Sequence, residues 1–198
     1  MKNIIFDIGN VLLEFKPFDY LLKLYDEKTM GDLMTIIFSS DEWIELDLWT
    51  MTIEQVKQVF CKRNPHYVNE INYVLDHWSD MLTPIHRNTQ LISKLKEKGY
   101  YLYLLSNFHE SAFEEVYEKY DFFREFDGKI ISAYEHVIKP DEKIYHLLLN
   151  KYNLKADECL FIDDMAGNIY AANELGIHTI YLGYNVNLED ELKAIGIL

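Results

Sequence analysis

Six polar residues in this sequence stand at or just beyond places where a buried strand would end. Asp7 follows Asn3-Ile4-Ile5-Phe6, Ser106 and Asn107 follow the apolar run 100–105, Lys139 precedes Pro140, and Asp163 and Asp164 follow Cys159-Leu160-Phe161-Ile162. Three are carboxylates, and the others are a hydroxyl, an amide and an ammonium. A carboxylate so placed can be a nucleophile, a metal ligand or a proton-transfer group. Taken singly, each residue has a simpler reading. A strand-terminal Asp caps a turn, Ser-Asn makes an Asx or Ser turn, and Lys-Pro is a solvated loop. The Asp163-Asp164 pair is different, because two like charges side by side at the edge of a core are costly unless a cation joins them. That pair points to a metal.

The elements that must deliver these residues follow from the hydrophobic pattern. Continuous apolar runs at 3–6, 100–105, 129–132, 159–162 and 178–182 suit strands buried on both faces, as in a parallel sheet. Helical spacing appears at 86–98, stopping at Gly99, at 110–120, at 141–152 after Pro140, and at 167–175, stopping at Gly176. Strand and helix alternate from residue 86 onward, which is the pattern of right-handed βαβ units. The fold expected is α/β, a doubly wound, Rossmann-like parallel sheet, in which ligands bind beyond the carboxyl ends of the strands. All six polar residues fall at that edge. Residues 16–82 break the alternation. They hold helical patterns and no good strand, with Thr52 as a helix N-cap and Gln55 three positions on. The expected organisation is therefore a core made of 1–15 and 83–198, with a helical-bundle cap domain, 16–82, inserted after the first strand.

Composition bounds the partners. Lys plus Arg is 19 and Asp plus Glu 33 in 198 residues, a formal charge of −14 that disfavours nucleic acid and anionic membrane surfaces. An anionic small molecule needs local positive charge or a metal to be received. Cys61 and Cys159 form no disulfide framework or zinc spacing. Asp7 interrupts what a signal peptide would need as an apolar run, and no stretch approaches membrane-spanning length, so a cytoplasmic protein is expected. None of the 7 His pairs at helical spacing for a metal. His109 reads as a surface residue at a helix start, with substrate contact as the alternative. Trp43, Trp49 and Trp78 lie in the inserted block and read as packing, although an aromatic over the site could stack on a sugar ring.

The order Phe6-Asp7-Ile8-Gly9-Asn10-Val11, Leu105-Ser106-Asn107, Lys139-Pro140 and Phe161-Ile162-Asp163-Asp164 with Asn168 resembles the four motifs of the haloacid dehalogenase superfamily. The Phe-Asp-x-Gly-Asn-Val form is similar to a branch with sugar-phosphate phosphatases such as the bacterial α-D-glucose-1-phosphate phosphatase. The resemblance implies a Mg²⁺-dependent phosphatase acting on a small phosphorylated metabolite, with sugar phosphates among the candidates. It makes Asp7 the nucleophile that forms an aspartyl-phosphate, and Asp7, Asp164 and the backbone carbonyl of Gly9 the metal ligands. Asp163 would act through water or as an orienter of its neighbours. Ser106 and the backbone N–H of Asn107 would hold phosphoryl oxygens, and Lys139 would neutralise phosphate and nucleophile charge.

One position departs from the family pattern. Most phosphatases of this superfamily carry a second Asp two residues after the nucleophile, which protonates the leaving group and activates water; here that residue is Gly9. General acid–base help is worth roughly 10²–10⁴-fold. Three readings follow: a leaving group good enough alone, a substitute such as Glu14 or His109, or a reaction that needs no proton donor. The last is the chemistry of 2-haloacid dehalogenases, which also lack the second Asp but keep no acidic pair in the fourth motif. A non-catalytic binding protein on this fold is the reading from another class. Asp7→Asn is expected to abolish turnover, because the amide is isosteric but a poor nucleophile. Retention of roughly a tenth of the wild-type rate, only about 1.4 kcal/mol of barrier, would contradict the covalent mechanism.

Overall fold

The computed structural model describes residues 1–198. The strands are β1 (Asn3–Phe6), β2 (Leu13–Phe15), β3 (Leu82–Pro84), β4 (Tyr101–Ser106), β5 (Gly128–Ile131), β6 (Cys159–Asp163) and β7 (His178–Tyr181). The helices are α1 (Pro17–Leu24), α2 (Glu27–Leu33), α3 (Asp41–Asp47), α4 (Ile53–Arg63), α5 (Val68–Asp76), α6 (His86–Glu97), α7 (Glu110–Lys119), α8 (Ser132–Glu135), α9 (Glu142–Lys151), α10 (Ala166–Glu174) and α11 (Leu188–Ala194). No helix is long and apolar enough to cross a membrane.

Five strands form one parallel sheet in the order β5-β4-β1-β6-β7. β1 is central, with Phe6 level with Leu104 on one side and Ile162 on the other. Side chains alternate between the faces, as the pleat requires. Ile4, Phe6, Leu102, Leu104, Leu160 and Ile162 join a core that takes in α6, α7, α11 and the inserted helices. Ile5, Tyr103, Leu105 and Phe161 join a second core, under α9 and α10. Both faces are covered, which is why the strands read as unbroken apolar runs rather than as alternating ones. The α/β sheet expected from the pattern is the one found. Gly99 and Gly176 end their helices with φ of +87° and +78°, a conformation that favours glycine.

The block between β2 and β3 is helical, and Thr52 and Gln55 make the expected capping box on α4. Two features there differ from the sequence reading. Leu82 begins a strand, and β2 pairs antiparallel with β3, with Phe15 opposite Leu82, so a short ribbon carries the chain out of the sheet layer and back. Strands of 3 residues are too short to show a period, and Pro84 closes the second. α3 was also illegible. With 7 residues it is too short to show its period clearly, and it is held by its Ser40 cap, which accepts from the Trp43 N–H, and by packing from outside the segment.

The loop that follows β1 is fixed from beneath. Asn88 on α6 is 2% exposed and its Nδ2 donates to the Val11 carbonyl at 2.7 Å, while the Ile85 N–H donates to the Leu12 carbonyl at 2.8 Å. Removing the first bond strands a buried carbonyl, at a cost of about 1–3 kcal/mol. Asn88→Ala is therefore expected to lower stability by that amount, read as a drop in the urea midpoint with an unchanged m-value.

Candidate active site

Asp7 leaves the end of β1, Ser106 ends β4, and Asp163 ends β6, so the parallel register alone brings three polar side chains to one edge. Lys139 reaches them from the loop before α9. Its Nζ lies 2.9 Å from Asp7 Oδ1 and 2.6 Å from Asp163 Oδ2, with its side chain 1% exposed. The loop is pinned by Asn107, whose Nδ2 donates to the Lys139 carbonyl at 3.0 Å while the Lys139 N–H donates to Asn107 Oδ1 at 2.8 Å. That reciprocal pair is a use for Asn107 beyond the one the motif implies.

The oxygens of the acidic groups are unequally committed. Asp163 accepts from Lys139, from the Met165 N–H at 2.7 Å and from Asn168 Nδ2 at 3.0 Å on both oxygens. Asp7 Oδ1 accepts from Ser106 Oγ at 2.6 Å and from Lys139, and no hydrogen bond reaches Oδ2. Asp164 Oδ2 accepts from Asn10 Nδ2 at 3.1 Å. Oxygens of Asp7, Asp163 and Asp164 lie within 4.8 Å of one another. An all-oxygen set with two carboxylates still carrying free oxygens suits a hard cation such as Mg²⁺, and it offers none of the nitrogen or sulfur that zinc prefers.

Electrostatics agree with the geometry. Burial pushes the Asp7 carboxyl up to about 6, with Asp163 adding to the shift and Lys139 opposing it. Burial also raises Asp164. Burial alone would lower the Lys139 ammonium, but the two carboxylates beside it hold it above its ordinary value.

Asn10 is a site residue that the sequence reading left without a role. It takes a φ of +52°, which Asn tolerates better than most residues. Its Oδ1 accepts from the Phe15 N–H at 3.1 Å, so one side chain ties Asp164 to the start of the ribbon. Asn168 is another. It braces Asp163, and its own carbonyl accepts from the Tyr145 hydroxyl at 3.0 Å.

Above Asp7 lies a cavity of about 200 Å³. Asp7, Gly9, Ser106 and Asp164 line its floor, and Phe15, Trp43, Trp78 and Phe108 its walls. Asp47, at the last turn of α3, and His109 line it too. His109 stands at a helix start as read, but it is buried and not on the surface. Its ring packs 4.5 Å from Trp43 and 4.7 Å from Trp78, contacts supplied by a distant segment that no local pattern could show. Burial holds its pKa down to about 3, and its Nδ1 has no partner. Glu14 pairs with Lys16 at 2.9 Å and lines a neighbouring groove, which shares Asn10 and Asp164 with this cavity. Trp43 and Trp78 combine packing with lining the cavity, whereas Trp49 is exposed.

Residues 1–176 match the family described as haloacid dehalogenase-like hydrolase. The chain belongs to the haloacid dehalogenase-like hydrolases. Within that family it is similar to the sesquiterpene phosphatase astK of Aspergillus oryzae, 28% identical over 194 residues, which span 98% of this chain and 96% of that protein. Several other curated relatives match over about half of this chain and less than half of their own length. Among solved structures, a HAD family enzyme from Bacteroides thetaiotaomicron, in complex with magnesium and inorganic phosphate, shares the fold with a TM-score of 0.70 and 20% identity, covering 96% of this chain and 98% of that one. A dehalogenase does so with a TM-score of 0.77 and 16% identity, covering 100% and 98%. At these identities the structures establish a shared fold and not a shared reaction.

Removing the Lys139 ammonium leaves two buried carboxylates facing each other. Breaking a buried pair in this way costs about 3–5 kcal/mol. Lys139→Met is expected to destabilise the hydrolase by that order in chemical denaturation. Loss of activity with unchanged stability would mean that the carboxylates find another partner.

Proposed function

We propose that this hydrolase is a Mg²⁺-dependent phosphatase acting on a phosphorylated small molecule, with Asp7 as the nucleophile. The observation that carries the reading is the meeting of Asp7, Asp163 and Asp164 within 4.8 Å with a single ammonium among them. Asp7, Asp164 and the Gly9 carbonyl are the groups that would hold Mg²⁺. When bound, it offsets the charge of a phosphate dianion and polarises its oxygens. Asp163, whose oxygens are already engaged, orients Lys139 and does not bind the cation directly. Lys139 and Ser106 hold Asp7 by its Oδ1; of the two carboxylate oxygens, one would face Mg²⁺ and the other would attack phosphorus. Ser106 and the Asn107 N–H then hold phosphoryl oxygens as charge develops on them. Residues 16–82 act as the cap, since Trp43, Asp47 and Trp78 of that block wall the cavity. A relative named as a phosphatase over nearly its whole length supports the reading.

The dehalogenase reading is disfavoured by the Asp163-Asp164 pair, which has no use in a metal-free displacement at carbon. Release of inorganic phosphate from 4-nitrophenyl phosphate, with Mg²⁺ and then with excess chelator, decides between them. Phosphatase activity that survives the chelator, or no release under either condition, would contradict the proposal. Asn10→Gly keeps the left-handed backbone but frees Asp164. Loss of such a supporting contact typically weakens metal binding by roughly 10–100-fold. The half-saturating Mg²⁺ concentration is expected to rise by that factor, with the rate at saturating Mg²⁺ changing less.

A further inference from the structure

We propose that Asp47, presented by α3, is the general acid and base of this enzyme and takes the place of the side chain missing at Gly9. The inference rests on the phosphatase reading and adds to it the source of the proton. Asp47 and Asp7 line the same cavity of about 200 Å³, one from the inserted block and the other from the sheet edge. A phosphoryl group attacked by Asp7 sits in this cavity, and Asp47 faces the same space. A Cβ at Gly9 would meet no atom within 4 Å, so the space immediately beside that position is open.

The other titratable groups of the cavity are unsuited to the task. Asp7 is the nucleophile, and Asp164 is tied to Asn10 and to the cation site. His109 is held neutral by burial and has no proton to give at neutral pH by becoming imidazole. Lys139 is committed to two carboxylates, and Glu14 is paired with Lys16 and does not line this cavity. Asp47 has no Lys or Arg partner; the nearest ionisable nitrogen is His109 Nε2 at 3.6 Å, beyond hydrogen-bond reach. Burial, reinforced by Asp7 and opposed by Lys139, pushes its carboxyl up to about 7, so both protonation states are populated near neutral pH. Its placement is rigid. Trp43, one turn earlier on α3, packs against Phe15, Trp78 and His109, and His136 Nδ1 bonds to the Leu48 carbonyl at 3.1 Å.

The two half-reactions balance. A carboxylate oxygen of Asp7 bonds to phosphorus as the bond to the leaving oxygen breaks, and the Asp47 carboxyl gives that oxygen its proton, releasing an alcohol. Water then attacks phosphorus, Asp47 takes up a proton from the water, and the bond between phosphorus and Asp7 breaks. Phosphate leaves, with Asp7 ionised and Asp47 protonated as at the start.

The test is a plot of log kcat/KM against leaving-group pKa for phosphate monoesters from 4-nitrophenyl to simple alkyl, with Mg²⁺, for wild type and Asp47→Asn. A missing acid predicts a steep plot for the wild type; Asp47 predicts a shallow one. Asp47→Asn is expected to lose roughly 10²–10⁴-fold on alkyl phosphates and less than about tenfold on the nitrophenyl ester. A steep wild-type plot overturns the assignment, and this arm requires no variant to fold. A variant plot parallel to that of the wild type overturns it as well. Either result leaves the phosphatase reading intact. Absence of phosphate release from the nitrophenyl ester by the wild type would instead remove that reading.

Discussion

The ammonium of Lys139, buried between Asp7 and Asp163, is the contact on which the rest of the site depends. A parallel sheet with β1 at its centre puts two carboxylates at adjacent strand ends, and neither is stable there alone. The ammonium makes their burial tolerable. Asn107 holds its backbone, and Asn168 and the Met165 N–H take up what remains of Asp163. Because Asp163 is saturated, it holds Lys139 still. Because Lys139 is held still, Asp7 keeps one oxygen fixed and the other free. The deficit of positive charge that remains, with Asp164 alongside, is what makes this edge receptive to a cation and, through it, to a phosphate.

The floor of the site was readable from residue order, since strand ends are marked by the transition from an apolar run to a polar residue. Asp7, Ser106 and the Asp163-Asp164 pair stand at such transitions, Lys139 lies in the loop that follows the third run, and the sheet that joins them follows from the same runs. The walls were not readable. Asp47 lies in a helix of 7 residues, too short for its period to be read, so nothing local distinguishes it from the other acids of that segment. His109 looked like a surface residue because the tryptophans that bury it are 66 and 31 positions away. Asn10 lies inside the first motif, yet its role depends on the left-handed turn that lets one amide reach both Phe15 and Asp164.

The β2–β3 ribbon explains how a helical block can wall a site made by the sheet. Phe15 ends the outgoing strand and Leu82 begins the returning one, and both face the cavity. Phe15 stacks with Trp43 at 6.3 Å between centroids, so the ribbon fixes the depth at which α3 stands over the floor. Asn88 and the Ile85 N–H hold the loop before the ribbon against α6. The path from sheet to wall is thus one of short, bonded connections, without a flexible linker between floor and wall.

Placing the proton donor on α3 rather than at position 9 changes what the inserted block must do. With the acid on the same loop as the nucleophile, the inserted block would only select substrates, and a loosely seated block would still permit chemistry. With the acid on α3, the leaving group is protonated only when the block is seated. Small displacements then reach the rate directly, because proton transfer needs heavy atoms within about 2.6–3.2 Å or a single bridging water. The aromatic packing of Trp43 on Phe15, Trp78 and His109 is therefore part of the catalytic apparatus as well as of the core. It also accounts for a neutral, buried His109 in a place where a charged one would look more useful: the ring is a rigid surface beside Asp47, and its burial keeps that corner of the cavity dry enough to hold a carboxyl near neutrality.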